Sequence, residues 1–190
     1  MPEGRPARLA ILTVSDRASR GEYPDRGGPA AEDWLRATIT TPVEVQRRIV
    51  PDGADSVAGA LTDLADGWGA DLIVVTGGTG PAPRDRTPEG VAAVIDFDLP
   101  GFGEAMRAAS LAEVPTAILS RQGAGVRGRC LIITLPGSPR AIGTCLTAVF
   151  AAVPYGLDLI GAARIETDPA RISAFRPQPK PETASCPPPP

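Results

Sequence analysis

The chain has 190 residues, 43% hydrophobic and 22% charged, which suits a single globular domain and leaves little room for a second. A net charge of −3 offers no electrostatic footprint for nucleic acid or an anionic membrane, so neither is expected as a partner. Histidine is absent, which removes Ser-His and Cys-His catalysis, imidazole bases and His-ligated zinc.

Behind the charged N-terminal residues the apolar run ends at Val14, too short for a secretory signal. No stretch approaches the ~18 apolar residues of a membrane span, so a cytoplasmic location is expected. Leu9–Val14 is nearly continuous in apolar residues and is predicted to be a strand buried on both faces. Leu72–Val75, Thr116–Leu119 and Leu131–Leu135 are predicted the same way, and the more polar Val43–Val50 reads as a strand nearer an edge. Helices are predicted over Pro29–Ile39, through Val57, Leu61, Leu64 and Ala65 on one face, and from Thr87 as a cap before Pro88. Phe102–Ala112 and Arg140–Ile160 supply the rest.

Strands alternating with helices indicate an α/β fold with right-handed crossovers. The domain is expected to span residues 1–175. Residues 176–190 carry seven prolines and almost nothing large and apolar, and read as a proline-rich tail without a packed core. Cys130, Cys145 and Cys186 are odd in number and far apart, so neither a disulfide framework nor a zinc site is indicated; the first two read as small buried hydrophobes.

Chemistry concentrates where the strands end. Val14 runs into Ser15-Asp16-Arg17, Val50 into Pro51-Asp52, Val75 into Thr76-Gly77-Gly78-Thr79-Gly80, and Leu135 into Pro136-Gly137-Ser138-Pro139. In an open parallel sheet these loops share the carboxyl rim, where ligands bind. The glycine loop leaves main-chain amides open to phosphate oxygens, although it is neither a Walker A loop nor GxGxxG. After it come Arg84-Asp85, a phosphate clamp beside a hard oxygen ligand, and Asp52 offers a second carboxylate. Two carboxylates without histidine suit magnesium-dependent phosphoryl or nucleotidyl transfer. The other reading of each lone aspartate is a turn or helix-cap residue. Ser15-Asp16-Arg17 and Asp25-Arg26 are open to the same reading as turns or solvated charges.

The string Thr76-Gly77-Gly78-Thr79-Gly80-Pro81…Arg84-Asp85…Thr87-Pro88-Glu89 resembles the signature of the molybdopterin-binding fold. That fold is shared by molybdopterin adenylyltransferases, MoaB proteins and the G domains of gephyrin and its plant counterpart. Ser15-Asp16-Arg17-Ala18, Pro51-Asp52, Pro115–Arg121 and Leu135–Pro139 match as well, in the right order from about Arg8 to Arg176. Val114–Arg121 and Ser173–Pro177 resemble the MogA branch more than MoaB. Arg86 falls outside the motif, and the direct run from Leu146 to Val153 lacks an insertion that some bacterial members carry.

The resemblance implies a three-layer α/β/α domain with a mostly parallel sheet, assembled as a homotrimer. It implies transfer of AMP from Mg-ATP to the terminal phosphate of molybdopterin, with Asp52 and Asp85 as catalytic, Mg²⁺-associated aspartates. Ser15, Asp16, Arg17, Asp25, Thr76–Gly80, Arg84, Thr87, Glu89, Ser120 and Pro136, Gly137, Ser138 and Pro139 are the candidate nucleotide- and substrate-binding residues. A molybdenum-insertion protein is a candidate partner. The alternatives are a molybdopterin-binding trimer without activity and a nucleotide phosphohydrolase.

Overall fold

The computed structural model describes residues 5–177. Four strands, β1 (Ala7–Val14), β2 (Val43–Val50), β3 (Leu72–Thr76) and β6 (Cys130–Leu135), run parallel. β5 (Ala124–Arg127) lies antiparallel to both β6 and the two-residue β4 (Phe97–Asp98). All six belong to one sheet, in the order β2-β1-β3-β6-β5-β4. β1 and β3 are buried along almost their whole length, whereas β2 alternates between half-buried and exposed residues, as befits an edge strand.

Side chains alternate across the sheet and build two cores. Leu9, Ile11, Leu72, Val74, Leu131 and Ile133 pack beneath α2 (Gly27–Thr38), α5 (Pro100–Leu111), α6 (Pro139–Val149) and α7 (Val153–Leu159). Ala10, Leu12, Ile73, Val75 and Ile132 face α3 (Ala54–Thr62) and α4 (Thr87–Ala92) instead. This is the three-layer α/β/α arrangement expected. α1 (Asp16–Ser19) is a single turn after β1. Cys130 and Cys145 are buried, and burial pushes the Cys130 thiol up to about 12, so neither is a nucleophile; Cys186 lies outside the described residues.

Two elements differ from the sequence reading. Thr116–Leu119 is not a strand but part of a 3₁₀ turn, Pro115–Leu119, with Ile118 68% and Leu119 55% exposed. Pro115 opens that turn, and the sheet position beside β6 is taken by β5, a short glycine-containing strand with no apolar run to announce it. The second helix also changes pitch, passing at Thr62 into a π-helical turn, Asp63–Gly67, that keeps Leu64 buried. Arg176, placed by the sequence reading at the start of the tail, packs on the domain and pairs with Asp158 and Glu166. The remaining tail, 178–190, lies outside the described residues.

No single helix among the described residues is long and apolar enough to cross a membrane.

Candidate functional site

Register brings the loops together. Val14 pairs with Val50, Thr13 with Thr76, and Thr76 with Leu135, so β1, β2, β3 and β6 end on one rim. The glycine loop after β3 folds back over the end of β1. Gly77 has φ +100°, and a Cβ there would sit 2.3 Å from Val14 O, so no other residue fits. Its N–H donates to Leu135 O, while no protein acceptor takes the N–H groups of Gly78, Thr79 or Gly80 among the described residues. Successive free amides after glycines at positive φ form an anion-binding concavity.

Thr76, Thr79 and Thr87 shape this loop and are themselves buried. The Thr76 hydroxyl donates to Pro136 O, and Thr87 Oγ1 donates to Gly77 O at 2.9 Å. Thr87 therefore pins the loop and makes no helix-capping bond, contrary to its sequence reading as a cap. Having no exposed surface, it does not face a ligand. Thr79 Oγ1 meets Ser120 Oγ at 3.3 Å, and Ser120 in turn bonds the buried Gln122.

The two key carboxylates flank the loop. Asp52 Oδ1 lies 3.3 Å from where a Cβ on Gly78 would stand, and Asp85 Oδ2 lies 2.6 Å from the equivalent point on Gly80. Asp52 Oδ2 accepts the Asp16 N–H at 2.7 Å, and Asp16 Oδ1 accepts the Asp52 N–H at 3.1 Å. Asp85 Oδ2 accepts from Ala82 N at 3.2 Å. Each aspartate is half-buried and keeps its Oδ1 out of these bonds. Arg84 bridges the loops, holding both oxygens of Asp16 and donating to Asp52 O at 2.6 Å. That contact holds the Asp16 carboxyl below the usual carboxylate range. Arg84, read as a phosphate clamp, is thus tied to Asp16 while remaining exposed.

A cavity of about 500 Å³ opens beside the loop, lined by Ser15, Arg17, Tyr23, Asp25, Arg26 and Gly137, among others. Arg17 and Arg26 flank the Tyr23 ring at 5.2 and 5.3 Å to its centroid and make no ion pair among the described residues. Asp25 faces inward, taking the Thr13 hydroxyl at 3.0 Å and the Gly28 N–H at 2.9 Å, so it anchors the start of α2. A second cavity of about 290 Å³, more apolar, is lined by Ser110, Val114, Ala117, Ser120, Gln122 and Thr144, with Pro136 and Ser138 completing its wall. Ser138 belongs to both cavities, so the Pro136–Pro139 loop is the partition between them. Glu89 stands apart, paired with Arg121 at 2.7 Å.

Tyr23, Arg26, Arg121 and Gln122 are the groups that sequence reasoning left out of the site. Tyr23, Arg121 and Gln122 lie outside the glycine-loop and aspartate motifs, and only folding brings them beside the loops. The donor set of Asp52 and Asp85 is hard and oxygen-only, which fits magnesium. No group of three or more candidate ligands exists among the described residues, so a cation there needs phosphate oxygens and water to complete its shell.

An open, mostly parallel sheet with free loop amides, two carboxylates and unpaired arginines on its carboxyl rim is an α/β architecture suited to phosphorylated ligands. Residues 10–154 match the family described as a probable molybdopterin binding domain, and the chain belongs to that family. It is 48% identical over 170 residues to a molybdopterin adenylyltransferase of Helicobacter pylori strain J99, covering 90% of this chain and 97% of the relative. The Escherichia coli K12 molybdopterin adenylyltransferase is 44% identical over 183 residues, covering 90% and 94%. Among solved structures, the molybdopterin biosynthesis enzyme MoaB from Thermus thermophilus superposes with a TM-score of 0.76 at 43% identity, covering 83% of this chain and 98% of that one.

Proposed function

We infer that this chain is a molybdopterin adenylyltransferase. An oxygen of the terminal phosphate of molybdopterin attacks the α-phosphorus of ATP, the bond from the α-phosphorus to the bridging oxygen of the β-phosphate breaks, and pyrophosphate leaves. The single observation that carries the reading is the placement of Asp52 and Asp85 on either side of a glycine loop with free amides, in a chain this similar to adenylyltransferases.

The division of labour follows from what each group can offer. The amides of Gly78, Thr79 and Gly80 stabilise phosphate oxygens, whose negative charge grows in the transition state. Arg17 and Arg26, free of carboxylate partners among the described residues, add positive charge at the larger cavity. Asp52 and Asp85 would hold Mg²⁺, which supplies charge neutralisation to the triphosphate. No covalent enzyme intermediate is required. Assembly as a homotrimer in the cytoplasm belongs to the same reading. An apolar groove of about 460 Å³, lined by Phe97, Leu99, Phe102, Val126, Tyr155 and Leu159, supports burial of this face between subunits.

The test is pyrophosphate release from Mg-ATP with and without molybdopterin. Release that requires the pterin is expected. Binding of molybdopterin without release would leave a binding trimer, and release of phosphate or AMP without pterin would indicate a hydrolase.

A further inference from the structure

Arg121 holds the glycine loop and the Asp85 turn with its main chain and its side chain at once. Its N–H donates to Thr79 O at 2.8 Å. Its Nε donates to Gly80 O at 3.1 Å, one terminal nitrogen to Asp85 O, and the other to Glu89 Oε1 at 2.7 Å. One residue thus joins four points between residues 79 and 89.

Arg84 ties this segment to Asp16 and Asp52 O, and Thr87 ties it to Gly77 O, while Arg121 is the side chain that holds the Asp85 main chain itself. Pro81 and Pro83 carry no N–H, and no helix or strand forms between Gly80 and Thr87. The local bonds are a turn, with Asp85 N donating to Ala82 O at 2.9 Å and Ala82 N to the Asp85 carboxylate. Gly80 completes the seat. Its φ is not in the left-handed region, yet a Cβ there would lie 2.6 Å from Asp85 Oδ2. The glycine is needed for the space the carboxylate occupies.

We propose that Arg121 is a positioning residue for nucleotidyl transfer, clamping the Asp85 turn over Gly80 and so setting where the Asp85 carboxylate meets the nucleotide. This rests on the reading of Asp85 given above. The guanidinium acts through main-chain carbonyls and Glu89, whose carboxyl it holds below the usual range.

The experiment combines amide hydrogen exchange of the ligand-free protein with steady-state pyrophosphate release, on Arg121→Met, Arg121→Lys and Gly80→Ala. Arg121→Met is expected to speed exchange at the Asp85 and Thr87 amides about tenfold or more while the β1 and β3 amides stay protected. A displacement of about 1 Å at a reacting group can cost ~10²-fold, so kcat is expected to fall about 10- to 100-fold with the molybdopterin KM within about twofold. Arg121→Lys should recover part of kcat. Gly80→Ala, which keeps Arg121 and displaces the carboxylate, should lose kcat comparably.

Arg121 contacting only substrate would leave ligand-free exchange unchanged, and that result overturns the proposal. So does a rise in molybdopterin KM with kcat intact. Asp85→Asn separates the two layers: an active Asp85→Asn discards the role of Asp85. An inactive Asp85→Asn beside a fully active Arg121→Met discards only the role of Arg121.

Discussion

At the amino-terminal rim of the sheet, Asp71 precedes β3 with its side chain 3% exposed, and at the carboxyl rim Asp52 and Asp85 are half-buried. Asp71 takes the Arg5 guanidinium on both oxygens at 2.7 and 2.8 Å, with the N–H groups of Arg8 and Ala163 at 2.9 Å each. Every lone pair has a use, and the carboxylate ties the chain's start, centre and end together. Asp52 and Asp85 each accept one main-chain N–H on Oδ2 and keep Oδ1 out of these bonds, and both carboxylates lie beside glycines that leave room for a ligand. The same residue type is closed at one rim and open at the other. A saturated carboxylate stabilises a fold; an undersaturated one beside free amides is available for a cation and phosphates.

The largest effect should come from opening this contrast at Asp85. Asp85→Asn is expected to lower transfer about 10²–10³-fold, the usual loss when a transition-state electrostatic contact is removed, with the melting temperature unchanged. A variant turning over near the wild-type rate would place Asp85 with the structural aspartates.

Asp52 should behave similarly, with one complication visible in the geometry. Asp52→Ala also frees the Asp16 N–H, whereas Asp52→Asn keeps an acceptor for it and removes only the charge. Both are expected to weaken Mg-ATP engagement and slow transfer by about 10²-fold, with molybdopterin affinity nearly preserved. Separate titrations with molybdopterin and Mg-ATP check this. Parallel loss of both ligands in Asp52→Ala but not Asp52→Asn would make Asp52 a shaper of the Asp16 loop.

Asp71→Ala sharpens the comparison from the other side. It leaves Arg5 without its partner and the main-chain amides of Arg8, part-buried, and Ala163, buried, without an acceptor, at a cost of about 3 kcal/mol. Urea unfolding should show the loss, while turnover per folded molecule stays at the wild-type level. A turnover defect would mean that the two rims are coupled.

Much of this was legible in the sequence where the information is local. The runs Leu9–Val14 and Leu131–Leu135 are buried on both faces and so cannot alternate, and Gly77-Gly78-Thr79-Gly80 announces an open main chain. The run Thr116–Leu119 misled because apolar character alone does not tell a strand from an exposed turn, and the proline before it was the stronger signal. Arg121 escaped because its side-chain partners lie 32 to 41 positions away, and Gln122 because its amide reaches Cys145, 23 positions on; Thr87 was read as a cap because its hydroxyl bonds a loop ten residues earlier instead of its own helix.

The smallest effects concern the end of the domain, where Arg176, inside the proline-rich tail predicted from sequence, is a residue that the fold uses. Arg176 donates to the Asp158 carboxylate, to Glu166 Oε2 at 3.1 Å and to Ile165 O at 2.9 Å. Asp158 is 15% exposed, and its other cationic neighbour, Arg164, stands 3.9 Å away. Arg176→Ala therefore strips a mostly buried carboxylate of its main partner and should lower stability by about 1–2 kcal/mol. Removing residues 178–190 takes away six prolines, a few polar residues and no large apolar side chain, so a shift within about 0.5 kcal/mol is expected. Turnover should be unaffected in both. Thermal melts of the two variants side by side give the answer: a truncation as costly as Arg176→Ala would show that the proline-rich segment packs on the domain, and an Arg176→Ala with no cost would move the domain's end back to residue 175.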